Sequence, residues 1–297
     1  MFSDYKHLTS RVAMLLLLTG SALAGNDLRV EEVLHHHLDS VGTPAARSAA
    51  KSRVVEGTAA YKILVGGSGR IDGKSVLVSE GHKFQLLLKI NALKYHGEKF
   101  LCDGDKTFVE GTYDDHSRSE FGEFLRSEDL PLSEGLIGGT LSTTWPLFDL
   151  DARKGTLKYL GRKKVEGNER EVVSYRPKKG TDMDVTLYFD PQTFRHVMTV
   201  YKTSVHAGIV GTNPEGPTSP IPGGAETASA RQQQTRYKIE ERFSDFKEND
   251  GLTLPSRYDL RFTEELANGF TKTVEWDVTT TRVLNGVTLD PRNFRIP

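Results

Sequence analysis

Short runs in which apolar and polar residues alternate make up most of this chain, and such alternation is typical of half-buried β-strands. The runs are rich in Val, Ile, Leu, Phe and Tyr, and Gly, Asp and Asn separate them at hairpin distances. Because the connections are mostly short, we expect consecutive strands to pair as an antiparallel meander. The predicted strands cover residues 54–65, 74–79, 84–90, 99–102, 107–109, 157–165, 171–176, 184–189, 196–201, 237–246, 258–262 and 270–278.

Turn residues support this pairing. Asp72-Gly73, Asp103-Gly104 and Glu166-Gly167-Asn168 each lie between two strand-like runs. Asp, Asn and Gly accept the positive φ angles that tight hairpins require. We therefore predict a hairpin turn at each of these three places.

Helical spacing of apolar residues occurs in three places. Residues 27–41 carry apolar side chains along one face and end before Gly42, and residues 44–52 form a second, Ala-rich stretch that begins with Pro44. Residues 117–150 interrupt the strands with a helical insert. Together, the strands and the helical stretches predict an α+β fold, a broad antiparallel sheet with segregated helices.

The N-terminus has the pattern of an export signal. Lys6 and Arg11 flank the start of a short apolar core at residues 12–18, and Ala22-Leu23-Ala24 precedes Gly25 as a small-residue cleavage site. An uncleaved anchor is the alternative, but a spanning helix needs about 20 apolar residues. We expect residues 1–24 to be a cleaved signal peptide, residues 25–297 to form one domain, and the protein to be periplasmic.

Composition narrows the function classes. The formal net charge is −1, with 39 Lys and Arg against 40 Asp and Glu, so no electrostatic basis for nucleic-acid binding exists. A single cysteine, Cys102, excludes an intrachain disulfide and cysteine-rich metal sites, and its strand-like neighbours favour a packed core position over a reactive thiol. Residues 207–231, rich in Pro, Gly, Ser and Thr, are predicted to form a long loop.

Four runs, taken in order, resemble a known family. They are residues 135–143 (Gly-Leu-Ile-Gly-Gly-Thr-Leu-Ser-Thr) leading to Trp145-Pro146-Leu147, residues 157–161 with 165–167, residues 186–193 (Thr-Leu-Tyr-Phe-Asp-Pro-Gln-Thr), and residues 251–257 (Gly-Leu-Thr-Leu-Pro-Ser-Arg). Together they are similar to outer-membrane lipoprotein-sorting proteins of the LolA/LolB-like superfamily. The resemblance implies an incomplete β-barrel of about eleven strands around helices, with a concave apolar face that holds acyl chains. The loop at 207–231 is an insertion relative to the shorter carriers of that family.

Four clusters of polar residues or glycines are candidates for a chemical site. His35-His36-His37 is a metal candidate, but consecutive helical residues point about 100° apart, and a solvated helix face is the alternative. Asp114-Asp115-His116 and Asp149-Leu150-Asp151 fit acid–base work or a cation site, but also ordinary turns. Residues 66–69 (Gly-Gly-Ser-Gly) fit a hairpin loop better than a phosphate cradle. No G-x-S-x-G or H-E-x-x-H motif occurs, so we expect no enzyme and no cofactor.

The strongest candidate for a site is a set of apolar strand faces. Residues two apart along a strand share a face, and Trp145 and Phe148 lie within or just beyond the helical insert. If the sheet curves, these side chains line an apolar cavity; a filled core under the helices is the alternative reading. The candidates are Phe84, Leu86, Leu88, Trp145, Phe148, Val185, Leu187 and Phe189.

Two functions follow as hypotheses. The first is an exported carrier or sensor that binds a lipid, or the acyl chains of a lipoprotein, in a half-barrel cavity and transfers it without covalent chemistry. The second is an envelope protein-interaction module of the same fold with a filled core, which uses a sheet edge or the loop at 207–231. The expected partners are a lipid or acylated lipoprotein and an envelope membrane protein, not a nucleic acid.

Overall fold

The computed structural model describes residues 29–93, 95–112, 118–206 and 234–297. The predicted signal peptide, the Asp114-Asp115-His116 cluster and the predicted loop at 207–231 lie outside the described residues. Helices α1 (Val30–Val41) and α2 (Pro44–Ala49) precede the first strand, and Thr43 caps α2 by accepting a hydrogen bond from the Ala46 N–H. Both helices fall where the apolar spacing predicts them.

Twelve strands and a helical insert follow. The insert lies between β5 and β6 and contains α3 (Glu120–Ser127), α4 (Leu130–Ser133), two 3-10 turns (Gly139–Leu141 and Pro146–Phe148) and α5 (Leu150–Arg153). The strands are β1 (Ser52–Val65), β2 (Gly69–Glu80), β3 (Lys83–Ile90), β4 (Gly97–Cys102), β5 (Thr107–Gly111), β6 (Thr156–Val165), β7 (Asn168–Arg176), β8 (Asp184–Phe189), β9 (His196–His206), β10 (Gln234–Asn249), β11 (Leu252–Glu265) and β12 (Thr271–Asn285).

The described strands form one antiparallel sheet in the order β5-β4-β3-β2-β1-β12-β11-β10-β9-β8-β7-β6. Two meanders, β1 to β5 and β6 to β12, are therefore joined by the pairing of the first strand with the last. The sheet stays open, with β5 and β6 at its edges. The predicted α+β class, the meander and the incomplete barrel are confirmed.

Two of the three predicted turns are hairpins, and one is wrong. Asp103-Gly104 lies in the turn between β4 and β5, where Gly104 has a positive φ. Glu166 and Gly167, which both have a positive φ, lie between β6 and β7. Asp72 and Gly73, in contrast, lie inside β2, and the turn is at residues 66–68. A Cβ atom on Gly73 would lie 2.1 Å from the Lys89 carbonyl oxygen. The glycine therefore allows β2 and β3 to approach closely and does not form a turn.

The sheet curves around the helices. Helix α1 contacts both β11 and β6, which are five strand intervals apart. In a flat sheet those strands would lie about 24 Å apart, whereas a helix of 12 residues is about 18 Å long. Helix α3 packs on β5 at the other edge. The helices thus occupy the concave face, and the core lies between them and the inward-facing strand residues.

Candidate functional site

The eight predicted cavity residues belong to one apolar cluster at the centre of the molecule. Every second residue of β3 and β8 points inward, as the alternation predicts. Seven of the eight side chains are at most 2% exposed and the eighth, Phe148, is half-buried. In this conformation they form packed core. The seven buried residues are Phe84, Leu86, Leu88, Trp145, Val185, Leu187 and Phe189.

A buried histidine pair joins α1, the helical insert and β9. The indole N–H of Trp145 donates to Nε2 of His37 at 3.1 Å, so the Nδ1–H of His37 donates to the Phe194 carbonyl at 3.1 Å. The Trp145 ring also stacks on His196 with the ring centroids 4.5 Å apart. Burial lowers the pKa of His37 to about 4 and that of His196 well below its usual value. Both rings are therefore neutral and structural at physiological pH.

The three consecutive histidines diverge, as their helical positions predict. His35 pairs with Asp39 on the exposed side, while His37 is fully buried. A solvated face is thus the right interpretation for His35 and the wrong one for His37. The signal for the buried position was present in the sequence: His37 lies four residues from both Val33 and Val41, on the apolar stripe of the helix.

Two buried ionisable side chains fasten the insert to the sheet. Arg53 on β1 donates from Nη1 to the Thr140 carbonyl at 2.6 Å and from Nε to the Asn285 side-chain oxygen at 2.7 Å. Glu241 on β10 accepts the Gly138 backbone N–H at 2.7 Å. Neither residue was predicted as a site residue, because strand periodicity identifies inward positions by their apolar side chains and does not reveal that a charged side chain is buried.

Glu241 has further partners. It accepts hydrogen bonds from the hydroxyls of Tyr201 at 2.6 Å and Tyr258 at 2.7 Å. Burial raises its pKa to about 7, although these three hydrogen bonds oppose the shift. Glu98 on β4 has a similar environment, in which Tyr95 and the cap of α3 at Ser119 donate to it, and burial raises its pKa to about 7. Both carboxyls hold helical segments of the insert in place.

An open cavity of about 690 Å³ lies beside α2, at the end of the sheet where β1 begins. Small-molecule sites in proteins commonly have volumes of about 300–1,000 Å³. Phe148 is the one predicted site residue in its wall, and it also packs against the central apolar cluster. The cavity therefore adjoins the core through Phe148. Its lining residues are Val41, Pro44, Arg47, Ser48, Ala50, Lys51, Arg53, Glu80, Gly81, Thr143, Phe148 and Leu252.

The opposite end of the sheet carries exposed apolar side chains. Five large apolar residues are exposed in the described part of the chain, and all five lie at this end, at or beside the ends of four successive antiparallel strand pairs. The side chain of Leu93 is 99% exposed. We call this group the apolar rim. It consists of Leu64, Val65, Leu93, Val205 and Phe270.

The other candidate residues that the structure describes take part in ordinary stabilising contacts. Asp149 accepts a hydrogen bond from Arg153 at 2.7 Å and contacts His82 at 2.7 Å. Cys102 is buried in the core, as predicted. No group of three or more His, Cys, Asp or Glu residues in the described ranges is arranged to hold a metal ion.

No described helix combines the length and the hydropathy that crossing a lipid bilayer requires.

No protein-family model and no curated protein sequence matches this chain. Among solved structures it is similar to a DUF1329 family protein from Desulfovibrio piger, with 13% identity, a TM-score of 0.45, and coverage of 90% of this chain and 97% of that one. A putative outer membrane lipoprotein-sorting protein domain from Vibrio parahaemolyticus has 10% identity, a TM-score of 0.48, and coverage of 90% and 97%.

The MucA/MucB complex from Pseudomonas aeruginosa gives 10% identity, a TM-score of 0.24, and coverage of 86% of this chain and 100% of that one. At these identities and TM-scores, the ligands and partners of those proteins do not transfer to this chain.

Proposed function

We propose that this protein is an exported periplasmic carrier or sensor that binds a lipid, or the acyl chains of a lipoprotein, and transfers it without covalent chemistry. The observation that supports the proposal is the cavity beside α2, whose wall continues through Phe148 into the apolar cluster. An acyl chain that enters there reaches the apolar cluster past Phe148 if the insert moves away from the sheet.

Movement of the insert breaks two hydrogen bonds between it and the sheet, and burial of a ligand chain offsets their loss. The hydrogen bonds from Arg53 to Thr140 and from Gly138 to Glu241 involve charged groups or buried carboxyls, and each contributes about 1.5–3 kcal/mol. Each buried CH₂ group of a ligand contributes about 0.8 kcal/mol. The two bonds together contribute about 3–6 kcal/mol, so about four to eight buried CH₂ groups offset their loss before ordering costs are counted.

The test is native mass spectrometry of residues 25–297, purified from an envelope fraction without detergent, followed by organic extraction. We expect a stoichiometric acyl-bearing ligand. The Phe148→Ala variant should take up less added acyl ligand, because Phe148 is the link between cavity and core. Phe246→Ala is the matched control, since Phe246 is another half-buried phenylalanine on the cluster but lies outside the cavity wall. A ligand-free protein that also takes up no added lipid would contradict the proposal.

The interaction module remains a second candidate, because a separate observation favours it. The predicted cavity residues are packed, and the apolar rim presents exposed side chains to solvent at the far end of the sheet. Contiguous exposed apolar patches mark contact surfaces, and the rim gathers five exposed apolar side chains at one end of the sheet. In this function the rim contacts an envelope membrane partner and the core has no ligand. A ligand-free protein that still binds envelope membranes through the rim would support it over the carrier.

A further inference from the structure

The cavity beside α2 combines apolar walls with an excess of positive charge. Arg47, Lys51 and Arg53 line it together with one carboxylate, Glu80. Glu80 already pairs with Lys83, at 3.9 Å. The three cations form no ion pair with a carboxylate in the described part of the chain; Arg47 donates instead to the backbone carbonyls of the α1 C-terminus.

Arg53 is the most buried of the three. It is 2% exposed, yet only Nε and Nη1 donate to described protein atoms, and Nη2 has no such acceptor. A guanidinium has five N–H donors, and a buried cation without a counter-charge is costly. Planar carboxylates and phosphates are the groups that match its donor geometry. The unpaired N–H groups of Arg53 can therefore donate hydrogen bonds to an anion in the buried part of the cavity.

The apolar part of the wall complements a hydrocarbon chain. Val41, Ala50, Leu252 and Phe148 all line the cavity, and Phe148 connects it to the core. We propose that this cavity binds single-chain amphiphiles with an anionic head, a carboxylate or a phosphate, the head at Arg53 and Lys51 and the chain along Phe148. This inference rests on the proposed carrier function and adds the class of head group to it.

The test compares three ligands that share one chain, namely dodecanoate, dodecyl phosphate and dodecanol, each titrated calorimetrically into the unaltered protein. We expect the two anions to bind about ten- to a hundredfold more tightly than the alcohol, which is the usual effect of one hydrogen bond to a charged group. Inorganic phosphate alone should compete weakly, because it lacks the chain.

Charge variants locate the head. Lys51→Glu should reduce the preference for dodecanoate over dodecanol several-fold, because Lys51 is exposed at the cavity and its replacement inverts the charge there without disturbing the core. Lys163→Glu makes the same change on the exposed edge strand β6, outside the cavity wall, and should leave the preference unaltered.

Each outcome separates the two proposals. If all three ligands bind equally, or if Lys51→Glu leaves the preference for dodecanoate over dodecanol unchanged, the proposal of an anionic head group is wrong and the carrier function is unaffected. Binding of inorganic phosphate as tight as that of dodecyl phosphate overturns the amphiphile in favour of a plain anion site. Binding of none of the ligands overturns the carrier function and this inference with it.

Discussion

At the scale of single residues, the unusual feature is ionisable groups that are buried and hydrogen-bonded to uncharged partners. Glu241 and Glu98 face tyrosine hydroxyls and backbone N–H groups, and His37 and His196 face carbonyls and aromatic rings. Such groups adopt the neutral form more readily than they do in water. Their titration therefore contributes to the pH dependence of stability.

Buried carboxyls and buried histidines contribute to the pH dependence of stability with opposite sign. The pKa of Glu241 is raised from 4.5 to about 7, so its contribution is complete below pH 4.5 and is lost as the pH rises through 7. The pKa of His37 is lowered from 6.5 to about 4, so its contribution is present above pH 6.5 and is lost as the pH falls through 4. Between these limits the contributions partly cancel, and only single-site variants separate them.

Glu241→Gln should change the slope of stability against pH. Glutamine does not titrate, so the variant lacks the loss of stability that the carboxyl causes as the pH rises from about 5 to 7. Urea unfolding at a series of pH values should show a slope more positive than that of the unaltered protein by about 1.4 kcal/mol per pH unit. Glu98→Gln should act in the same direction, because burial raises that pKa as well. Unchanged slopes in both variants would refute the assignment.

At the scale of elements, the sheet was predictable and the docking of the insert was not. Strand positions and inward faces follow from the alternation along β3 and β8, which depends only on near neighbours in sequence. The insert is held by contacts between distant residues, such as Arg53 with Thr140 and Trp145 with His37. No periodic signal encodes such pairs.

The six predicted site residues on β3 and β8 share one apolar cluster because strand alternation identifies inward positions. The other two, Trp145 and Phe148, reach the same cluster from the insert. The cavity was missed because its wall combines residues from α1, α2, three strand ends and the insert. Asp72-Gly73 shows a similar limit: its composition fits a turn, but a close approach of β3 requires the glycine.

Gly139 fits the insert against the sheet, and its replacement should loosen that contact. A Cβ atom there would lie 2.8 Å from Cζ of Phe243 and 2.9 Å from Nδ1 of His196. Gly139→Ala should lower the free energy of unfolding by about 1–3 kcal/mol more than Gly81→Ala does.

Gly81 is the matched control. Its φ of +57° is close to the +50° of Gly139, so the backbone cost of alanine is shared, and no atom lies within 4 Å of its added Cβ. The difference between the two variants, measured by urea denaturation, reports the steric part alone. Equal losses would mean that the insert accommodates the methyl group and is not tightly fitted there.

At the scale of the whole molecule, the protein has two different ends. Strand β1 has 14 residues, so the end that carries the cavity lies about 45 Å from the end that carries the apolar rim. The cavity has basic and apolar walls, whereas the rim consists of exposed apolar side chains at the ends of successive strand pairs. This separation predicts that ligand binding and envelope contact can be removed independently.

The double variant Leu93→Asn with Phe270→Asn tests that separation. Both side chains are exposed, 99% and 51%, so their replacement should change the free energy of unfolding by no more than about 0.5 kcal/mol. We expect weaker co-sedimentation with vesicles made from envelope membranes and unchanged binding of dodecanoate. If the loss also occurs with protein-free lipid vesicles, the rim contacts lipid directly; if it occurs only with envelope vesicles, the contact is with a membrane protein. Unaltered sedimentation in both cases would show that the rim is not a contact surface, and loss of dodecanoate binding would show that the two ends are coupled.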